Sequence, residues 1–266
     1  MAYKSDRIVK EELLSIGNIG DLKLRIFPGD SRDDQIHWID SGLCFGKREL
    51  LYGSCDGAWY VEESWIDPLT GEQSDRRPVI GVEGTLALER RSSGNAQYQR
   101  FFHALGAILS GVIGIYYLRR GTDPMLTDLP KAALNASVKH GKPYLITNEL
   151  EDIRALVEAI ANHGENSDQA TEVIHRVQRE MATYWEEGLE RKYEGNIEKY
   201  YANRSIIRTA KGEYIKYAGR NYRNFTESSQ RAGHIALGEF YLAKYFLNCP
   251  FYYFLPRLTP QEIRIL

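Results

Sequence analysis

The stretch "RRPVIGVEGTLALERRSSGNAQYQRFFHALGAILSGVIGIYYLRRG" runs from Arg76 to Gly121, and its first third decides how the chain is read. "VIGVEGTLALE", residues 79–89, alternates. Ile80, Val82, Leu86 and Leu88 face one way; Val79, Gly81, Glu83, Thr85, Ala87 and Glu89 face the other. One face is greasy and meets a helix. The other carries a carboxylate, a hydroxyl and little bulk, which leaves room for something to approach. "SSGNAQYQRFFHALGAIL" turns helical after Asn95, and "GVIGIYYLR" is too short and too β-branched to be anything but a central strand.

Working outward, residues 6–16 read as a short helix and residues 22–39 as short strands and turns. The segment 41–53 reads ambiguously. "AWYVEESW" after Gly57 is rich in strand formers, and "GKPYLITN" is another strand. Asn148 caps a helix to about His163, with Glu151 completing a capping box. Strand, strand, helix, strand, an irregular or helical stretch, strand and helix in this order predict an α/β fold, a mixed β-sheet flanked by helices, over residues 1–165. Residues 166–266 read as a helical C-terminal part packed on that core. It holds one long helix, or two joined near Gly188 or Gly195, then an irregular segment 204–233. A last apolar helix follows, "HIALGEFYLAKYFL", and Pro250, Pro256 and Pro260 break up what comes after it.

Composition narrows the function classes. The chain has 266 residues, 43% hydrophobic and 26% charged, an ordinary balance for a chain with a real core. The net charge of −2 excludes a global positive field. Cys44, Cys55 and Cys249 form no CxxC pair, which argues against a zinc ribbon and suits a reducing cytoplasm. No secretory leader or membrane span is expected. Neither GxGxxG nor a P-loop occurs, so no nucleotide cofactor is expected.

The acidic strand face has a partner in "SCDGAWYVEES". A regular strand puts Asp56, Ala58, Tyr60 and Glu62 on one face. If the two strands form a hairpin, Asp56 converges with Glu83. Two close carboxylates repel unless neutralised, and Mg²⁺ does so while keeping several waters. The plainer alternative is a turn at Asp56–Gly57 and an exposed Glu83 paired across the hairpin with Arg76 or Arg77.

Over roughly residues 50–120 this arrangement resembles the PD-(D/E)XK nuclease superfamily, type II restriction endonucleases in particular. Asp56 stands for the aspartate and Glu83 for the second acid, with Cys55 in place of the usual proline. Thr85 stands where lysine is expected, so it brings a hydroxyl and no charge. The resemblance implies a restriction endonuclease-like core and Mg²⁺ held by Asp56 and Glu83. It implies hydrolysis of phosphodiester bonds in double-stranded DNA, with Thr85 and Gln97 assisting at the site and a cation from elsewhere replacing the lysine.

DNA contacts are expected from two segments. Arg90, Arg91 and Asn95 precede a helix N-terminus, where free amides attract phosphate. Arg191–Gly233 holds ten Lys or Arg against four Glu, a net of +6, interleaved with six tyrosines. From it Lys211, Lys216, Arg220, Asn221, Tyr222 and Arg223 supply phosphate and base-edge chemistry. The solvated-surface reading of the same residues stands beside it. The final helix packs on the core or forms a dimer interface, and a homodimer is the expected assembly. The alternative function is a non-catalytic DNA-binding protein on the same scaffold.

Overall fold

Period and composition select the elements of the computed structural model, which describes residues 4–26, 42–45, 48–51, 55–68, 71, 73–85, 93–119, 125–217 and 229–254. Helix α1 (Lys4–Ile16) buries Val9, Leu13 and Ile16, spaced at helical intervals. Strand β1 (Lys23–Ile26) follows. Two small hairpins pair β2 (Gly42–Phe45) with β3 (Arg48–Leu51), and β5 (Trp65–Ile66) with β6 (Gln73–Ser74). Between them lies β4 (Gly57–Val61), and the decisive strand is β7 (Arg77–Thr85). The second half of the expected strand, residues 86–89, lies outside the described residues.

Helix α2 (Ser93–Leu109), strand β8 (Ile113–Leu118), helix α3 (Asp128–His140) and strand β9 (Tyr144–Thr147) alternate, with α3 in the stretch that reads as irregular or helical. They complete a five-stranded sheet in the order β1-β4-β7-β8-β9. The β1/β4 and β4/β7 pairs are antiparallel, while β7/β8 and β8/β9 are parallel. The α/β reading with a mixed, helix-flanked sheet therefore holds. The parallel strands are nearly continuous runs of apolar residues, as strands covered on both faces must be.

Two glycines show which helix covers which face. A side chain at Gly84 would strike Val9 of α1, with Cβ only 2.4 Å from its Cγ1. One at Gly114 would strike α2, with Cβ 2.5 Å from the Ala104 carbonyl oxygen. Gly114 pairs with Gly81 in register, an odd number of residues from Gly84, so α1 and α2 lie on opposite faces. Glu12 ties α1 to the same sheet face. It accepts hydrogen bonds from the Tyr117 hydroxyl at 3.1 Å and from Arg119 Nε at 2.5 Å.

Beyond the sheet come α4 (Leu150–His163), α5 (Asp168–Tyr193) and α6 (Ile197–Asn203). The cap of α4 is Glu149, one residue after the expected Asn148, and its side chain makes no cap bond. Thr147 Oγ1 instead accepts the Glu149 N–H at 3.0 Å. The long helix breaks at Glu194–Gly195, both left-handed, and runs unbroken through Gly188.

The C-terminal part departs from its helical reading. Strands β10 (Ile206–Arg208) and β11 (Tyr214–Tyr217) form a hairpin inside the segment read as irregular. Helix α7 (Ser229–Leu247) packs on α2 and α3. After it, β12 (Phe251–Phe254) pairs in parallel with β11, making a second, three-stranded sheet. Pro250 sits just before β12, where its missing N–H costs the ladder nothing. Among the described residues no helix is long and apolar enough to cross a membrane.

Candidate acidic site

Asp56 immediately precedes β4, and its N–H donates to the Val82 carbonyl at 2.9 Å. The next rung is made by a side chain: Asp56 Oδ2 accepts the N–H of Gly84 at 2.9 Å. The carboxylate thus replaces a main-chain acceptor at the mouth of the hairpin, one peptide away from Glu83. Its other oxygen, Oδ1, lies 3.9 Å from Lys10 Nζ on α1. The hairpin convergence of these two positions is therefore present in the backbone register. The strand is not regular throughout, because a bulge between Trp59 and Tyr60 shifts Tyr60 onto Pro78.

The face that carries Glu83 differs from the expectation. It is not open. Helix α2 lies against it, and the small residues admit the helix backbone rather than a ligand. Glu83 is 1% exposed. Arg100 Nη1 pairs with its Oε1, and His103 Nδ1 lies 3.3 Å from the same atom. Arg100 and His103 stand three apart on α2, so they reach one spot from one helix face. Burial alone would push the Glu83 carboxyl up; Arg100 and then His103 outweigh it and hold it below the usual range. The cross-hairpin pairing with Arg76 or Arg77 is not what occurs. Arg77 bonds Glu63 at 2.8 Å and Glu165 at 2.9 Å.

Thr85 ends β7, buried beside its register partner Leu118. Gln97 is buried on α2, and its Oε1 accepts the Leu126 N–H at 2.9 Å, fixing the entry to α3. That bond gives Gln97 a structural task. The side chains that complete the acid site, Lys10, Arg100 and His103, were not expected there from the sequence. Only the Arg100/His103 spacing carried a signal, and it is a short one. Among the described residues, no group of three His, Cys, Asp or Glu side chains is placed to hold a metal ion.

The expected DNA-contact residues divide. Arg90, Arg91, Arg220, Asn221, Tyr222 and Arg223 lie outside the described residues, and so does the side chain of Asn95. Lys211 is exposed at the tip of the β10–β11 hairpin. Lys216 corrects its expectation as a surface contact. Only 4% exposed, it bonds Glu239 Oε1 at 3.1 Å and the Tyr217 carbonyl at 2.6 Å. β11 alternates, and its inward face meets α7, so the basic residue at that position turns inward.

Lys216 belongs to a second buried polar cluster. Tyr253 donates to Glu239 Oε2 at 3.1 Å. Nearby, Arg204 Nη2 pairs with Asp128 Oδ2 at 2.7 Å and stacks over the Tyr98 ring at 5.0 Å. Burial pushes the Asp128 carboxyl up to about 6, against the pull of the Tyr200 hydroxyl and nearby cations. These bonds lock the C-terminal sheet and α7 to α2 and α3. No family model, no curated protein and no solved structure matches this chain.

Proposed function

We propose that the chain is a Mg²⁺-dependent endonuclease of the restriction type, hydrolysing phosphodiester bonds of double-stranded DNA at the Asp56–Glu83 site. The observation that carries this reading is the Asp56–Gly84 hydrogen bond, which sets the Asp56 carboxylate one peptide from Glu83. The element order supports it: β4, then antiparallel β7, then α2 and a parallel β8, the strand, strand, helix and strand that the resemblance over residues 50–120 implies.

The donors fit a hard cation. Both are carboxylates at one end of the sheet, and Glu83 is held ionised, the form that binds metal. Mg²⁺ takes one or two carboxylates and completes its shell with water. Bound there, the ion would supply charge stabilisation at phosphate and a more acidic water. Lys10 gives the reading its missing cation. It approaches Asp56 from α1, across the sheet from Thr85, which brings only a hydroxyl. Its part is to hold positive charge beside the reacting phosphate.

A second reading, a non-catalytic DNA-binding protein, is favoured by one specific observation. Each carboxylate already has its own cation, supplied from opposite faces of the sheet: Lys10 for Asp56, and Arg100 for Glu83. Plasmid nicking with and without Mg²⁺ separates the two. On the catalytic reading, Asp56→Ala and Glu83→Gln lower nicking by roughly 100-fold or more, on the order of 3 kcal/mol of transition-state stabilisation. Lys10→Met lowers it by about tenfold or more, as loss of one charge-stabilising group does. Mg²⁺ also raises the melting temperature of the parent protein and not of Asp56→Ala. A parent protein that binds DNA in a salt-dependent way and never nicks it supports the second reading.

A further inference from the structure

The three-stranded C-terminal sheet has two unlike faces. The inner face, carrying Ile206, Lys216 and Tyr253, is built into the molecule. Ile206 and Lys216 are buried, and Tyr253 packs against Phe240 of α7. The outer face is apolar and, among the described residues, uncovered. Ile207 is 52% exposed, Tyr252 55% and Phe254 50%, and Tyr217 is at the margin of exposure. The register makes them one surface. Ile207, Ile215 and Tyr252 form a row across the three strands, and Tyr217 and Phe254 form the next row. The Tyr217 and Phe254 rings are stacked, with centroids 5.4 Å apart and planes 28° from parallel. Tyr252 is held by a bond from its hydroxyl to Glu213 Oε1 at 3.4 Å.

A soluble protein seldom leaves a row of aromatic rings in water without a use for it. The size of the face and the charge beside it select the occupant. Five partly exposed side chains offer roughly 400 Å² of apolar surface, against about 800 Å² per partner for a stable protein interface. That is too little for a second copy of this chain and enough for two or three planar rings. At the hairpin tip Lys211 is exposed, and so is Arg208, which leaves β10 on the Ile206 side and carries its guanidinium round to Gly212; with Glu213 beside Tyr252 the tip keeps a net positive charge. Flat rings next to exposed cations match unpaired nucleobases on a phosphate backbone. A duplex does not fit, because its bases are stacked inside and offer no ring face.

We infer that the outer face of the β10–β11–β12 sheet binds single-stranded nucleic acid by stacking bases on Phe254, Tyr217 and Tyr252, with Arg208 and Lys211 on the backbone. This goes beyond the catalytic reading and stands without it, since it concerns binding and needs neither Asp56 nor Mg²⁺.

The test is fluorescence anisotropy with a labelled single-stranded oligothymidine and the same length of duplex, in EDTA. The expected result is that the single strand binds, that Phe254→Ala and Tyr252→Ala each weaken it about tenfold or more, and that duplex binding is unchanged. Phe254→Leu keeps the apolar bulk without the ring and weakens it comparably, which separates stacking from loss of fold. Arg208→Glu with Lys211→Glu flattens the salt dependence. A parent protein with no affinity for the single strand overturns the proposal, as does a Phe254→Leu protein that binds as tightly as the parent. A concentration-dependent dimer abolished by Phe254→Ala also overturns it, assigning the face to a second copy. Plasmid nicking plays no part, so failure of the catalytic reading leaves this result standing, and the reverse.

Discussion

Two buried carboxylates in this protein, Glu83 on the main sheet and Asp128 at the start of α3, sit in opposite electrostatic conditions. Both are almost wholly removed from water, and both have an arginine close by. Glu83 has Arg100 paired with one oxygen and the His103 ring beside the same atom, and is held below the usual range. Asp128 has Arg204 on one oxygen and sits among tyrosines and Glu239, and its carboxyl rises to about 6. Burial is the same force in each case; the number and sign of the neighbours decide the outcome. An ionised, crowded carboxylate suits a site that handles charge. One that takes up a proton readily suits a bolt between structural units.

The sharpest way to break the comparison is to remove the cation from the ionised partner. Arg100→Met leaves Glu83 charged and buried, and is expected to lower unfolding stability at pH 7 by about 3–5 kcal/mol. Urea melts at pH 7 measure it, and a loss under 1 kcal/mol would show that Glu83 is neutral or wetted.

The pH profile comes next. Glu83 has a depressed folded-state pKa, so its contribution is present above the ordinary carboxylate range and fades as pH falls. Asp128 has a raised one, from 3.8 to about 6, so its contribution is complete below about 4 and is lost as pH rises through 6. Asp128→Asn is expected to remove up to about 3 kcal/mol of that decline. Glu83→Gln should remove the opposite slope on the acid side. Melting temperatures taken from pH 4 to pH 7 for the three proteins distinguish the two groups by sign.

Smaller again is the effect of closing the gap through which α2 reaches the sheet. Gly114→Ala presses a methyl group against the Ala104 carbonyl and is expected to cost about 1–3 kcal/mol. If α2 merely floats over this face, the cost vanishes. The smallest change is the paired replacement Lys216→Met with Glu239→Leu. A buried ion pair exchanged for apolar residues of similar size is expected to be neutral within about 1 kcal/mol, while Lys216→Met alone costs about 3 kcal/mol. A double-mutant cycle reads the difference.

The acid pair and its cations were legible to different degrees. Asp56 and Glu83 could be found because strand period and hairpin pairing are local, and residues near in sequence fix the register. The Lys10, Arg100 and His103 partners could not, because they arrive on helices whose docking faces depend on which glycines let a backbone approach. Gly81, beside Glu83, suggested open space by its size alone; tertiary packing set α2 against that face. Lys216 shows the same limit. Its charge promised a surface, and the pleat of a strand missed in the sequence sent it inside. That strand was missed because β10, β11 and β12 are three to four residues long and set among charges and prolines, too short for a period to register.

By itself the sequence determined the alternating strand at Val79–Thr85, the helix and the central strand that follow it, and hence a mixed sheet with two acids at one end. Tertiary structure alone decided that each acid meets a cation from a different face, that the basic segment folds into a second sheet, and that this sheet leaves aromatic rings in water. The physical reason is range. Backbone period is set by neighbours a few residues away, whereas burial and charge pairing are set by whichever distant element wins the space.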